Sequence, residues 1–461
     1  MRSSTTQRQA PRVPGRSVQE LLDAERVAIP PALRETAADD VGCTDVKVEC
    51  FTSQAFFDLE MERMWPRVWQ MACRVEEIPR VGDHVVYEIG RYSLLIARSA
   101  PDRIQAFHNA CLHRGRILRS QSGNVQSFRC PFHGFEWTLD GRLADVPCRW
   151  DFPDIVDEEW SLPEARVDTW GGFVFVNMDE DAEPLDAYLA EIPEHFREWA
   201  LEDRHKVLHV AKVIEANWKV VLEAFVESHH VLATHPQIMP STGDTNTQYD
   251  VSADRPHTNR MITAMAVASP TLGDDYPEQK IVDAMLGGSS RVAAGRTGLV
   301  VPEGQTARSF MADLARGAQQ AASGLDLSHA TDSEMLDAIE YYVFPNFCPW
   351  GGYQRNIMYR FRPVGCDPER TLMEAMFLVL PPADGDRPPP SPMKLLETDE
   401  KWSSVPELGI LGPVFDQDMS NLSMVQKGLR ATRKPTVTLA RYQESRIRHL
   451  HATLDRYVSN P

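Results

Sequence analysis

The feature that most constrains this chain is Cys111-Leu112-His113 set against Cys130-Pro131-Phe132-His133, with sixteen residues between the two segments. Each short loop offers one thiolate and one imidazole. In a Rieske-type [2Fe–2S] centre two cysteines hold one iron and two histidines replace the other cysteine pair on the second, which raises the reduction potential. Gly115 and Gly134 follow the two loops, where backbone without a Cβ can turn tightly around a cluster. Pro131 stiffens the second loop. A zinc knuckle uses the same residue types, but zinc sites group like with like, as C-x2-C and H-x3-5-H. The mixed pairing favours iron and sulfide.

At 461 residues the chain is too long for a small electron carrier and predicts two or three domains. With 43% hydrophobic and 25% charged residues it has an ordinary globular composition. A formal charge of -18 argues against nucleic acid and against anionic membrane surfaces as partners. No run of about 18 apolar residues offers a membrane span. The N-terminal stretch MRSSTTQRQAPRVPGRSVQ lacks an apolar core and reads as a disordered lead-in rather than a secretory signal. Outside the loop pattern, Cys43, Cys50, Cys73, Cys148, Cys348 and Cys366 read as free thiols of a reducing cytoplasm.

Along the chain, residues 17–28 carry helical periodicity behind a serine cap and stop at Pro30-Pro31; residues 52–66 form a second capped helix. From about 68 to 180 the pattern becomes short strands with turn punctuation, and Asp140-Gly141 marks a hairpin. This predicts an all-β module carrying both loops. Beyond Asp179, helical stretches (185–200, 216–234) alternate with strands (205–216, 355–365, 371–382), an α+β pattern with an antiparallel sheet. Residues 265–340 are the least legible, with a Gly/Ser-rich loop at 287–290, a helix at 305–322 and a capping box at Thr331–Glu334. The boundaries follow: 1–48 a lead-in and helix, 49–178 the cluster domain, 179–461 a catalytic domain.

A second metal site is read in Glu223-Ala-Phe-Val-Glu227-Ser-His229-His230-Val-Leu-Ala-Thr-His235. Glu227 and His230, three apart, share a helix face, and His235-Pro236 ends that helix. Two histidines with a distant carboxylate make the facial triad of non-haem Fe(II). His229, turned about 100° from His230, is the rival ligand, and a surface helix with incidental histidines is the plain alternative. The run Tyr341–Trp350 offers aromatic walls for a substrate or a strand packed in the core. Arg355, Arg360 and Arg362 offer a substrate carboxylate a partner or pair among surface ions.

These motifs resemble, from about residue 50 to 450, the large (α) subunit of Rieske non-haem iron aromatic-ring-hydroxylating oxygenases. C-x-H-R-G…C-P-F-H-G carries most of the resemblance. N-W-K…E-x-x-x-E-x-x-H-x4-H supports it, with Phe415-Asp416-Gln417-Asp418…Gln426-Lys427-Gly428-Leu429-Arg430 downstream. The resemblance implies a helix-grip-like catalytic domain and a cluster held by Cys111, His113, Cys130 and His133. It also implies an iron held by His230 and His235, with the third ligand eight residues before Gln426, at Asp418; Asp416 competes for that place. Glu227 sits where members carry a carboxylate bridging the cluster of one subunit to the iron of its neighbour. There, ring-dihydroxylating members usually carry Asp; Ala224 replaces their Asn, His229 their Tyr, and one residue is missing between Glu223 and Glu227. These departures resemble members outside the two-subunit dioxygenases, including a quaternary-amine monooxygenase branch with Glu at the bridge.

The expectation is therefore a terminal oxygenase of aromatic hydrocarbon catabolism, a di- or monooxygenase acting with O2 on a hydrophobic, aromatic or polycyclic substrate. Electrons derived from NAD(P)H come through a ferredoxin and/or flavin reductase, because no G-x-G-x-x-G fingerprint occurs here. A homotrimer is expected, with an additional β subunit left open. The alternatives are an O- or N-demethylating monooxygenase and, in a different class, a Rieske electron carrier or ligand-binding module without oxygenase activity.

Overall fold

The computed structural model describes residues 15–42, 44–288, 298–354, 356–383 and 387–459. The expectations for the first 14 residues, Cys43, Arg355 and the end of the 287–290 loop lie outside the described residues. Cys50, Cys73, Cys148, Cys348 and Cys366 form no disulfide among the described residues, and no described helix is long and apolar enough to cross a membrane.

Residues 70–177 build the predicted β module. A seven-stranded sheet runs Gln70–Arg74, Phe173–Asn177, Glu164–Trp170, Arg103–His108, Tyr92–Ala100, Asp83–Ile89, Gly123–Asn124. A small sheet of Phe128–Arg129, Glu136–Trp137 and Leu143–Asp145 stands beside it. The Asp140-Gly141 turn joins the last two of these strands, and Gly141 takes φ +82°, which a side chain would resist. The strand Glu164–Trp170 escaped the sequence reading: its burial follows no alternation and only Ala165 is buried, so it shows no apolar face to betray it.

The second half folds around an eight-stranded sheet in the order Gln248–Asp250, Thr258–Thr263, Ala338–Val343, Phe347–Pro349, Asn356–Pro363, Thr371–Val379, His205–Ile214, Lys394–Leu396. All its pairings are antiparallel except the last. The short helix Trp218–Glu223 packs on the strands Asn356–Pro363 and Thr371–Val379, and the long helix Leu411–Ala431 lies against that helix, burying Phe415, Asp418, Leu422 and Gln426, whose spacing fits one helical face.

Several helices are shorter than their sequence patterns. The first covers Val18–Asp23, held by the Ser17–Glu20 capping box, and Pro31 opens a new short helix rather than only ending one. Residues 52–66 split into Glu49–Thr52 and Gln54–Arg63, the second capped by Ser53. Residues 185–200 break at Ala190, which has φ +50°. In the least legible segment, Glu278–Gly288 is a helix that the sequence did not announce, whereas Ala307–Ser323 and the Thr331 capping box match expectation.

The N-W-K motif is a joint. The Asn217 side chain accepts the Lys219 N–H at 3.0 Å, while its own backbone N–H donates to Gln426 Oε1 at 3.0 Å. Trp218 and Lys219 both donate to Glu60, and the fully buried Lys219–Glu60 pair ties this segment to the helix Gln54–Arg63. Two site-bearing segments are thereby held in register.

Nearby, His449 is 2% exposed and accepts at Nδ1 from the Asn259 amide. Burial, with Arg456 and Arg446 adding to it, pushes its imidazole down to about 4. The folded state thus prefers neutral His449, while the unfolded chain protonates near the ordinary value of about 6.5. Its stabilisation is complete above pH 6.5 and is lost as pH falls toward 4, amounting to roughly 3 kcal/mol. Thermal unfolding followed from pH 7 to 4 should show this slope, flattened in His449→Gln.

Candidate functional site

The two cysteine–histidine loops are built alike. The Cys111 N–H donates to the Arg116 carbonyl at 2.8 Å, and the Gly115 N–H donates back to the Cys111 carbonyl at 2.8 Å. In the second loop the Cys130 N–H donates to Phe135 at 2.8 Å and the Gly134 N–H to Cys130 at 3.0 Å. Each turn closes on a glycine of positive φ, +73° at Gly115 and +82° at Gly134. Both cysteines are buried with their thiols facing each other. The His113 and His133 rings lie 4.7 Å apart, and Phe135 stacks on His113 at 4.7 Å. The His113 Nδ1 is buried with no hydrogen-bond partner among the described residues. Two facing thiols and two adjacent imidazoles, one with an orphaned nitrogen, fit a [2Fe–2S] cluster of the mixed thiolate and imidazole kind.

The second constellation differs from the predicted helix. The helix after Asn217 is Trp218–Glu223; residues 224–230 leave it, and Val231–Thr234 forms one short turn. Glu227 holds the turn that follows. Its Oε2 accepts the backbone N–H groups of His229 and His230, taking the place of helix carbonyls, while its Oε1 faces His230 Nδ1 at 2.6 Å. Glu227 and His230 meet, though through a turn rather than along a helix face. His229 is exposed and absent from the cavity lining.

His230, His235 and Asp418 each bring a ligand atom within 4.8 Å of the others. His235 Nε2 lies 2.8 Å and His230 Nε2 3.6 Å from the same Asp418 oxygen. Burial disfavours a charged His230, but the carboxylates of Glu227 and Asp418 outweigh it and raise its pKa. The local field favours a cation. Asp416 faces elsewhere, accepting the backbone N–H groups of Trp402 and Ser403 at 2.8 and 3.3 Å.

Sequence reasoning gave Gln417 no role. Its Oε1 lies 2.9 Å from His235 Nδ1 and accepts from the Gln237 side chain at 2.6 Å. Both histidines therefore turn Nε2 toward Asp418 and have Nδ1 held by a side-chain oxygen, an arrangement that fixes tautomer and ring direction. Only its position beside Asp418 hinted at this. Gln417→Leu should weaken retention of iron about tenfold, read by chelator competition, with the cluster spectrum unaltered.

These groups open on a cavity of about 400 Å³ whose walls include Phe225, Met261, Trp350, Tyr359, Val414 and Phe415. Of the aromatic run 341–350, only Trp350 lines it; Tyr341, Tyr342, Phe344 and Phe347 are core residues. Arg360 and Arg362 are outside it too. Neither is a surface ion pair: both hold the buried Glu374, at 2.5 and 3.0 Å.

Fold and geometry together define a class, a protein with a cluster-binding β module and a centre of two histidines and one carboxylate under a helix-covered sheet. Residues 68–155 match the model of the Rieske [2Fe-2S] domain and residues 194–460 that of the ring hydroxylating alpha subunit (catalytic domain). The chain belongs to this ring-hydroxylating alpha-subunit family.

Among curated relatives, the biphenyl 2,3-dioxygenase alpha subunit of Rhodococcus jostii is 33% identical over 199 residues, 42% of this chain and 43% of that protein. The glycine betaine monooxygenase oxygenase subunit of Pseudomonas aeruginosa is 30% identical over 190 residues, 41% of this chain and 44% of that one. These matches span less than half the length of either relative. A solved quaternary ammonium Rieske monooxygenase shares the fold with TM-score 0.63 at 17% identity, covering 94% of this chain and 99% of that one. Naphthalene 1,2-dioxygenase from Rhodococcus sp. does so with TM-score 0.59 at 19% identity, covering 90% and 95%.

Proposed function

We propose that the chain is the terminal oxygenase of a multicomponent system, using O2 and two externally supplied electrons to hydroxylate a hydrophobic, ring-bearing substrate. The observation that carries this reading is the 400 Å³ largely apolar cavity ending on His230, His235 and Asp418. Cys111, His113, Cys130 and His133 would hold the cluster, and His230, His235 and Asp418 a mononuclear iron. When bound, these groups supply one-electron transfer and the activation of O2.

The remaining tasks fall to the chain's own side chains. Glu227 Oε1 accepts the His230 Nδ1 proton and Gln417 Oε1 that of His235, keeping both Nε2 atoms free to bind metal. Phe225, Tyr359 and Phe415 pack against one another at 5.1–5.9 Å and exclude water from one wall. On this reading the domains divide at 49–178 and 179–461, a partition supported by the two separate sheets. A ferredoxin and/or flavin reductase spending NAD(P)H delivers the electrons, and three chains assemble head to tail, a closed arrangement that avoids filaments.

The second reading, O- or N-demethylation, is favoured by Glu227 standing where ring-dihydroxylating members carry Asp. Product analysis under isotopically labelled O2 tests both. One labelled atom in a hydroxylated ring supports monohydroxylation, two in a cis-diol support dihydroxylation, and a labelled aldehyde lost from a methyl group supports demethylation. An enzyme with both metal centres loaded that consumes no O2 with reductase and any such substrate contradicts the proposal.

A further inference from the structure

The cavity wall contains one acid that neither centre uses. Glu340 lies in the strand Ala338–Val343, directly opposite Met261 on the neighbouring strand, and both line the cavity. It is 1% exposed. One carboxyl oxygen accepts from Arg446 Nη1 at 3.1 Å and the other from the Trp350 indole at 3.0 Å. Arg446 does not serve Glu340 alone: it also donates to the Asn259 side chain and the Val226 carbonyl. Of the other acids in the lining, Glu227 and Asp418 are engaged with His230 and His235. Among the described residues the cavity wall contains no lysine or arginine.

A carboxylate in an apolar wall is expensive to bury, and packed hydrophobes of the same volume serve stability at least as well as a buried ion pair. Burial pushes the Glu340 carboxyl up to about 7 against the pull of Arg446 and Trp350. Its protein partners therefore leave the charge incompletely stabilised, and each oxygen retains a lone pair for one more donor. Because Arg446 balances its charge, the complementary group is a neutral donor rather than a second cation.

We propose that Glu340 is a substrate-recognition residue that accepts a hydrogen bond from a hydroxyl or amino group on an otherwise hydrophobic ring substrate. This rests on the reading of the cavity as the substrate site. A site built to bond such a donor discriminates strongly against the analogue lacking it, because the buried acceptor is then left unmatched.

The test measures binding, not turnover, on the metal-loaded protein without O2 at pH 8, by equilibrium dialysis. The probes are 2-naphthol and 2-methylnaphthalene, which place a hydroxyl or a methyl at the same position. Wild type should prefer 2-naphthol by at least about tenfold, the scale of a hydrogen bond to a charged group. Glu340→Gln should reduce that preference below about threefold and leave 2-methylnaphthalene unchanged. Should the Gln variant misfold, Glu340→Met combined with Arg446→Met removes the whole pair and should abolish the preference likewise. Equal binding of both probes to wild type, or a preference that survives both variants, overturns the role of Glu340 while leaving the cavity as the substrate site. If neither probe binds wild type, the reading of the cavity falls, and the inference with it.

Discussion

Asp418→Ala should lose the mononuclear iron and at least about a hundredfold of turnover, while the visible spectrum of the cluster stays as in wild type. The carboxylate oxygen stands 2.8 Å from one histidine nitrogen and 3.6 Å from the other, so its removal takes away the group on which the ligand set converges. A two-histidine remnant is a poor site for Fe(II), which is typically held by two histidines and a carboxylate on one face. Asp416→Ala is the internal control. Its carboxylate receives the N–H groups opening the turn Trp402–Ser404, and losing such a cap costs about 1 kcal/mol of stability with iron and activity retained. Iron analysis beside the optical spectrum reads both variants. The opposite pattern, activity lost at Asp416 and kept at Asp418, would make the Asp418–His235 contact a structural one.

Glu227→Gln should retain both metal centres and lose at least about tenfold in turnover, the lower end for losses behind a metal ligand. Its carboxylate performs two tasks that an amide cannot combine. One oxygen accepts from His230 Nδ1 at 2.6 Å, which Gln can still do. The other accepts two backbone N–H groups, and the Gln amide nitrogen can accept neither. The negative charge beside the imidazole is lost in addition. If Glu227 links the iron site of one chain to the cluster histidine of a neighbouring copy, reoxidation of reduced cluster in a single turnover with substrate and O2 should slow in parallel. A loss of turnover with unchanged reoxidation would assign Glu227 to local turn geometry alone, and wild-type values for both would leave its carboxylate without a part in either.

What the sequence disclosed followed the range over which each feature acts. The cluster loops were legible because each loop closes on itself, with its backbone hydrogen bonds made within five residues. The β module was legible for a similar reason, since apolar runs and Asp140-Gly141 encode strands and hairpin locally. The stretch 216–234 read as one helix because no Pro or Gly interrupts it before Pro236. The chain leaves the helix after Glu223, and the turn beyond is held by the Glu227 side chain capturing backbone N–H groups, which periodicity cannot register. Asp418 was reached only by counting along a family motif; composition alone does not separate it from Asp416, and the distinction is that one acid faces His235 and the other a turn. Gln417 and Glu340 were invisible as functional residues because their partners, His235 and Arg446, are more than a hundred positions away. The helix Glu278–Gly288 hid behind a Gly-rich end, although Ile281, Val282 and Met285 give it a buried face.

The central claim is that one chain carries a two-iron cluster and a separate iron at His230, His235 and Asp418. Iron and acid-labile sulfide counted on the same purified sample test it most directly, with Asp418→Ala measured alongside. About three irons and two sulfides per chain are expected, falling to about two irons with sulfide unchanged in the variant. Two irons in wild type after reconstitution with excess Fe(II), or zinc without sulfide, would contradict it.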